Sequence, residues 1–126
     1  PIPENSFGKS YGEHRDFLEF NIKQHLKLIN ICKKNNIGYS TSVWEKKSAL
    51  EFCKIQNKLN FIKVPSACNL DFELLDELCK KFKKKIHVSL GMTTQKEVIL
   101  IYNFFKFWTY NKFRGIWRKR TSSDKI

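Results

Sequence analysis

The sequence predicts an α/β fold with parallel strands, and three observations carry that prediction. Apolar residues recur at helical spacing in four segments, three short runs rich in β-branched and aromatic residues lie between them, and the connections are short. Regular alternation of helix and strand with short links makes the strands parallel, joined by helical crossovers. Two architectures share the pattern: a (β/α)8 barrel and an open doubly wound sheet. No G-x-G-x-x-G follows any strand, so a dinucleotide crevice is not supported. A complete barrel takes about 250 residues; the 126 residues and three strands here would supply roughly half of one.

Residues 1–20 hold Pro1, Pro3, Gly8 and Gly12 without a clear period and read as an N-terminal loop segment. Ile22, Leu26 and Ile29 then share one helix face, with Lys33 and Lys34 in the last turn and Asn35–Asn36 as the stop. Residues 37–43, IGYSTSV, read as the first strand. Ser42 and Glu45 stand at capping-box spacing ahead of a helix whose face is Ala49, Phe52 and Cys53. Asn57 to Asn60 ends that helix, and FIKVP, residues 61–65, is the second strand. Asp71 opens the next helix, with Leu75, Leu78, Cys79 and Phe82 on one face, and residues 85–91, KIHVSLG, form the third strand. Thr94 and Glu97 repeat the capping box before a helix bearing Val98, Ile101, Tyr102 and Phe105. The chain thus divides into the loop segment 1–20, an α/β domain over 21–105 and a basic-aromatic tail over 106–126.

A hydrophobic fraction of 41% is enough to build a core, and the net charge of +12 favours anionic partners: nucleic acid, acidic lipid or phosphorylated small molecules. Much of that charge sits in helix-surface runs such as Lys80, Lys81 and Lys83 to Lys85, where a solvated face is the plain reading. Cys32, Cys53, Cys68 and Cys79 form neither a CxxC pair nor a zinc-ribbon spacing, so reduced thiols and a cytoplasmic location are expected. The longest apolar run, Val98 to Tyr102, is too short to cross a bilayer, and no signal peptide is visible. The chain opens on Pro1 rather than Met, so a processed or cut end is expected there.

Lys63 is out of place in FIKV. A strand covered on both faces is close to continuously apolar, and an unpaired buried ammonium is costly. An inward Lys63 therefore needs an anionic partner. In parallel α/β folds sites gather beyond the C-terminal strand ends, and here those ends deliver hydroxyls: Ser40-Thr41-Ser42, then Ser66 after Pro65, then Ser89. With the helix N-termini that follow, they would cradle a phosphate beside Lys63. The plainer alternative is that Ser and Thr at strand ends cap helices, and that Lys63 lies on an edge strand with its head in water. Lys63 and Ser66 are three apart, so an ideal strand aims them at opposite faces. His14, His25 and His87 are scattered without metal-pair spacing, and His87 reads as a core residue. No Ser-His-Asp or Cys-His set can be named, and nothing beside Cys68 lowers its pKa.

The stretches YGEHRDFLEF, YSTSVWEKKSALEF, FIKVPSACN and HVSLGMTT occur in the order and approximate spacing of the bacterial sialic acid synthase family, and the chain resembles that family from about Tyr11 to Phe105. The likeness is strongest to the branch carrying Y-G-E-H-R and S-V-W. The resemblance implies about half of a (β/α)8 TIM barrel. It also implies an aldol-like condensation of phosphoenolpyruvate with an N-acetylmannosamine-like amino sugar, giving a nine-carbon 2-keto sugar acid and phosphate. By the same likeness, Thr41, Lys63, Ser66 and Ser89 bind the phosphoenolpyruvate phosphate. A divalent metal, Mn or Mg, and a homodimer are also implied. The family's metal-binding His pair, its catalytic Glu, a second Lys and its antifreeze-like domain find no counterpart in these residues. The expectation is therefore a partial enzyme, inactive alone. Ser66-Ala67-Cys68 stands where many members have S-G-E, which leaves the sugar open.

After Phe105 the resemblance stops. Trp108, Tyr110, Phe113 and Trp117 alternate with Lys112, Arg114, Arg118, Lys119 and Arg120, a mixture suited to single-stranded nucleic acid or an anionic membrane. A binding module of that kind is the rival to the enzyme, with nucleic acid the less favoured partner; a tail without any selected role is the plain reading.

Overall fold

The computed structural model describes residues 6–123, with side chains described through Tyr110. It divides into two compact units, Pro1–Gly38 and Tyr39–Ile126.

The first unit is helical where a loop was expected over 1–20: α1 spans Tyr11–Leu18. Its start is a reciprocal cap. Ser10 Oγ accepts from the Glu13 N–H at 3.2 Å, and the Glu13 carboxylate accepts from the Lys9 N–H at 2.5 Å. The Ser10–Glu13 spacing is the sequence signal for this helix, and it goes unheard because α1 buries no residue and so shows no apolar face. Gly8 is required by the same turn: at φ +87 a Cβ there would stand 2.5 Å from Glu13 Cβ. Phe7 stacks on Phe17 with ring centroids 4.1 Å apart. Helix α2, Ile22–Lys34, opens on a full capping box between Asn21 and Gln24. It ends at Asn35, with Asn36 left-handed at φ 57.

The second unit alternates β1 (Thr41–Ser42), α3 (Lys46–Lys54), β2 (Phe61–Val64), α4 (Phe72–Lys81), β3 (Lys85–Val88) and α5 (Gln95–Ser123). The sheet order is β1-β2-β3 and both pairings are parallel, as the alternation predicts. Register sets the two faces. Ile62 and Val64 are fully buried, and the core they belong to includes Leu74, Leu75 and Leu78 of α4 and Ala49, Phe52 and Cys53 of α3. Each buried Leu, Ile, Val or Phe side chain of this set contributes about 1.5–3 kcal/mol by leaving water. The opposite face carries Ser42, Lys63 and His87 in one row, and all three are exposed.

Several boundaries differ from the sequence reading. The first strand shrinks from 37–43 to two residues. Tyr39 is held outside the ladder by Asn60, whose Oδ1 accepts the Tyr39 N–H at 2.9 Å and whose N–H donates to the Tyr39 carbonyl at 2.8 Å. Ser42 does not cap α3: it is paired in the sheet with Lys63, and Glu45 is the N-cap without a side-chain bond. The third strand stops at Val88 rather than residue 91. The caps read at Asp71 and Thr94 do form, with Asp71 Oδ1 accepting from the Leu74 N–H and Thr94 exchanging bonds with Glu97. Helix α5 continues through Phe105 without a break, to Ser123.

Polar contacts tie the helices together. Lys46 Nζ at the start of α3 lies 2.6 Å from Glu73 and 3.9 Å from Glu77 of α4. Asp76 pairs with Lys80 and accepts from Trp108 Nε1 of α5 at 2.9 Å. Exposed ion pairs of this kind are worth little individually, but together they specify which faces of α3, α4 and α5 meet.

Candidate functional site

The C-terminal ends of the three strands carry the candidate site. The chain leaves β2 at buried Pro65 and turns at once into a 3-10 turn, Ser66–Cys68. Strand alternation ends there, so the three-residue spacing of Lys63 and Ser66 does not force them onto opposite faces. On the neighbouring strand the Ser89 N–H donates to the Val64 carbonyl at 3.0 Å, and Ser89 lies two residues past His87 of the exposed row. A Cβ built on Gly91 would lie 3.7 Å from Ser66 Oγ and 3.9 Å from Ser89 Oγ. Two hydroxyls from two strand ends thus flank one small gap that a glycine leaves vacant.

Asn69 fixes this arrangement. Among the described residues it is the one buried polar side chain, 2% exposed, and its Nδ2 donates to the Ser89 carbonyl at 2.9 Å. The bond fastens the turn after β2 to the end of β3. Sequence reading passed over Asn69 because an Asn after a strand looks like ordinary turn chemistry; only its burial marks it.

The expectation of a buried, inward Lys63 is corrected. Lys63 is exposed, because its face of the sheet is uncovered, and its ammonium has no hydrogen-bond or ion-pair partner among the described residues. His87, read as a core residue, is likewise exposed on that face, its ring 4.3 Å from Phe61. Register aligns Ser42, not Thr41, with Lys63. Thr41 is level with Ile62, half-buried, with Oγ1 donating to the Ser42 carbonyl at 3.4 Å. The structure therefore brings Ser66 and Ser89 together, puts Lys63 and Ser42 side by side, and directs Thr41 toward the helix side.

The helix N-termini contribute less than the sequence suggested. Asp71 already fills the start of α4 and Glu97 the start of α5, and a carboxylate at each place opposes a second anion. The start of α3 has no side-chain cap. Near the rim, Cys68 Sγ donates to the Trp44 carbonyl at 3.2 Å, and burial with the nearby Asp71 pushes its thiol pKa up, which disfavours a thiolate nucleophile. Among the described residues no three His, Cys, Asp or Glu side chains are grouped to hold a metal ion. Among them, too, no helix is long and apolar enough to cross a membrane.

Three parallel strands joined by helical crossovers define a parallel α/β protein. The particular relationship comes from comparison. The chain belongs to the NeuB family, which its sequence matches over residues 2–122. It is 35% identical over 97 residues to N-acetylneuraminate-9-phosphate synthase of Drosophila melanogaster, covering 77% of this chain and 25% of that protein. Proteins of the same name from Mus musculus and Homo sapiens are each 30% identical over 103 residues, covering 82% of this chain and 28% of theirs. The sialic acid synthase likeness read from the motifs is borne out, but its bounds are corrected: the family match begins before Tyr11 and continues past Phe105. The chain spans about a quarter of the length of these curated relatives. No solved structure matches it.

The tail reading falls mostly on residues whose side chains lie outside the described part: Lys112, Phe113, Arg114, Trp117, Arg118, Lys119 and Arg120. Within the described part, Trp108 is half-buried and committed to Asp76 rather than presented for stacking.

Proposed function

We propose that the second unit holds the phosphate of phosphoenolpyruvate at its strand ends, as one part of a (β/α)8-barrel synthase. The sequential, all-parallel order β1-β2-β3 is compatible with an arc of such a barrel. The observation that carries the reading is the pair of hydroxyls, Ser66 and Ser89, flanking the gap at Gly91, on strands where Lys63 has no partner among the described residues. Each hydroxyl donates to a phosphate oxygen, and Lys63 supplies the opposing charge. Ser42 joins this set by register, and Thr41 by the family likeness alone.

The reaction is the condensation of phosphoenolpyruvate with an N-acetylmannosamine-like sugar. C3 of phosphoenolpyruvate bonds to the aldehyde carbon, water adds at C2, and the C2–O bond breaks to release phosphate. Three carbons and six give the nine-carbon 2-keto sugar acid. The name of the relatives bears on the sugar: a phosphate at C9 of the product sits at C6 of the starting hexosamine. The chain's own residues would bind and orient the phosphoenolpyruvate, which is catalysis by positioning. The family's metal, catalytic Glu and second Lys are not among these residues, so the expected behaviour of this chain is binding without turnover. Four cysteines outside any disulfide suit a cytoplasmic setting.

The test is calorimetric titration of the chain with phosphoenolpyruvate and with inorganic phosphate. Lys63→Met should weaken binding about 10- to 100-fold, the range for a hydrogen bond to a charged group. Ser42→Ala and Thr41→Val, compared side by side, tell which hydroxyl of the first strand takes part. Unchanged affinity in Lys63→Met rejects the site.

A further inference from the structure

Between Gln95 and Tyr110, α5 has two sides. Ile101 is buried and Val98, Phe104, Phe105 and Trp108 are half-buried on one of them. At 3.6 residues per turn the opposite arc gathers Ile99, Leu100, Tyr102, Phe107 and Tyr110, between 51% and 68% exposed. The charged residues on that arc are Lys96 and Lys106, both exposed. The segment's one carboxylate, Glu97, lies on the other side and is folded back onto Thr94. The outward face of a helix on a globular protein is ordinarily polar with mixed charge. Here Ile99, Leu100, Tyr102 and Phe107 are exposed beside two lysines, with no acid on that arc among the described residues.

We propose that this face of α5 docks on an anionic lipid surface, lying in the plane of the headgroups. Apolar side chains enter the acyl boundary while the lysines extend their stems to acidic headgroups. The composition selects this partner over others. Ile99 and Leu100 offer nothing to a nucleic-acid base, and Trp108, the strongest stacking group in the segment, gives its N–H to Asp76 on the inward side. A second copy would bring the same uncompensated lysines on a chain of net charge +12. Acidic lipid answers both halves of the face. The sequence beyond Tyr110 extends the excess, with Lys112, Arg114, Arg118, Lys119 and Arg120 and no acid before Asp124. This inference is independent of the phosphate reading.

The experiment is co-sedimentation of the 126-residue chain with vesicles of phosphatidylcholine mixed with phosphatidylserine, against phosphatidylcholine alone. Binding should require phosphatidylserine and weaken as salt rises. The pair Ile99→Ser and Phe107→Ser should lower partitioning more than about tenfold, and Lys106→Glu alone about fivefold or more. These side chains are exposed, so circular dichroism should show an unchanged helix content in every variant. No binding, binding indifferent to phosphatidylserine, or binding unaffected by the substitutions overturns the proposal. So does preference for a single-stranded oligonucleotide, or a dimer in sedimentation that Phe107→Ser dissolves.

Discussion

Gly91→Ala separates the scaffold from the site. The added Cβ meets Ser66 Cβ and Oγ at 3.7 Å and Ser89 Oγ at 3.9 Å, all ordinary van der Waals contact. Gly91 is not among the positive-φ residues, so alanine fits its backbone. The folded state therefore accepts the methyl, and the loss of glycine's freedom in the unfolded chain should raise stability by about 0.4–1 kcal/mol. The same methyl occupies the gap between the two hydroxyls, where a phosphate oxygen must sit to accept from both. Ligand at a hundredfold excess over its Kd stabilises a protein by about 2.7 kcal/mol. The assay is chemical denaturation of wild type and Gly91→Ala, each with and without saturating phosphoenolpyruvate. Wild type should gain most of that amount on adding ligand, and Gly91→Ala should gain little while matching or exceeding wild type without it. An equal gain in both proteins refutes a site between Ser66 and Ser89. A loss of several kcal/mol without ligand refutes the space ascribed to Gly91.

Asn69→Leu should destabilise the chain by about 1–3 kcal/mol, since it leaves the Ser89 carbonyl without its donor; a shifted urea midpoint at constant slope reads this out. It should also weaken phosphoenolpyruvate binding more than a mutation of equal cost in the core, such as one at Leu75. Acid should loosen the contact between α4 and α5. The bonds from Lys80 and then Trp108 hold the Asp76 carboxyl below its usual range, and Lys81 does the same for Glu77. Their folded-state pKa values lie under the unfolded ones, so this stability is present above the ordinary carboxylate range and is lost as pH falls through the lowered values. Tryptophan fluorescence should report the change in wild type and lose it in Trp108→Phe.

The helices of the second unit were legible because their signals are local. Asp71 and Thr94 cap as their sequences say, and the face of α3 is the apolar set the spacing picks out; α4 buries Leu75, Leu78 and Phe82 as picked, but Leu74 besides, with Cys79 only half-buried. Strand lengths were less legible, since pairing partners decide them: the side chain of Asn60 withholds Tyr39 from the ladder, and Asn69 occupies the carbonyl just past β3. The reading of Ser42 as a cap failed for the same reason, because a distant strand claimed it first. At the site, residue types at strand ends pointed to Ser66 and Ser89, which both lie near Gly91, whereas the face of Thr41 depends on register, and composition carries no register. Lys63 looked buried because its neighbours in FIKV are apolar; alternation had already turned it away from them.

The strand order has a consequence for how the molecule comes into being. Thr41 meets Ile62 and Phe61 meets Lys85, so each new strand finds its mate one helix back in the chain. Nothing made later must be threaded between strands already joined. As the polypeptide leaves the ribosome, this part of the sheet can zip up from its N-terminal side, one βα step at a time.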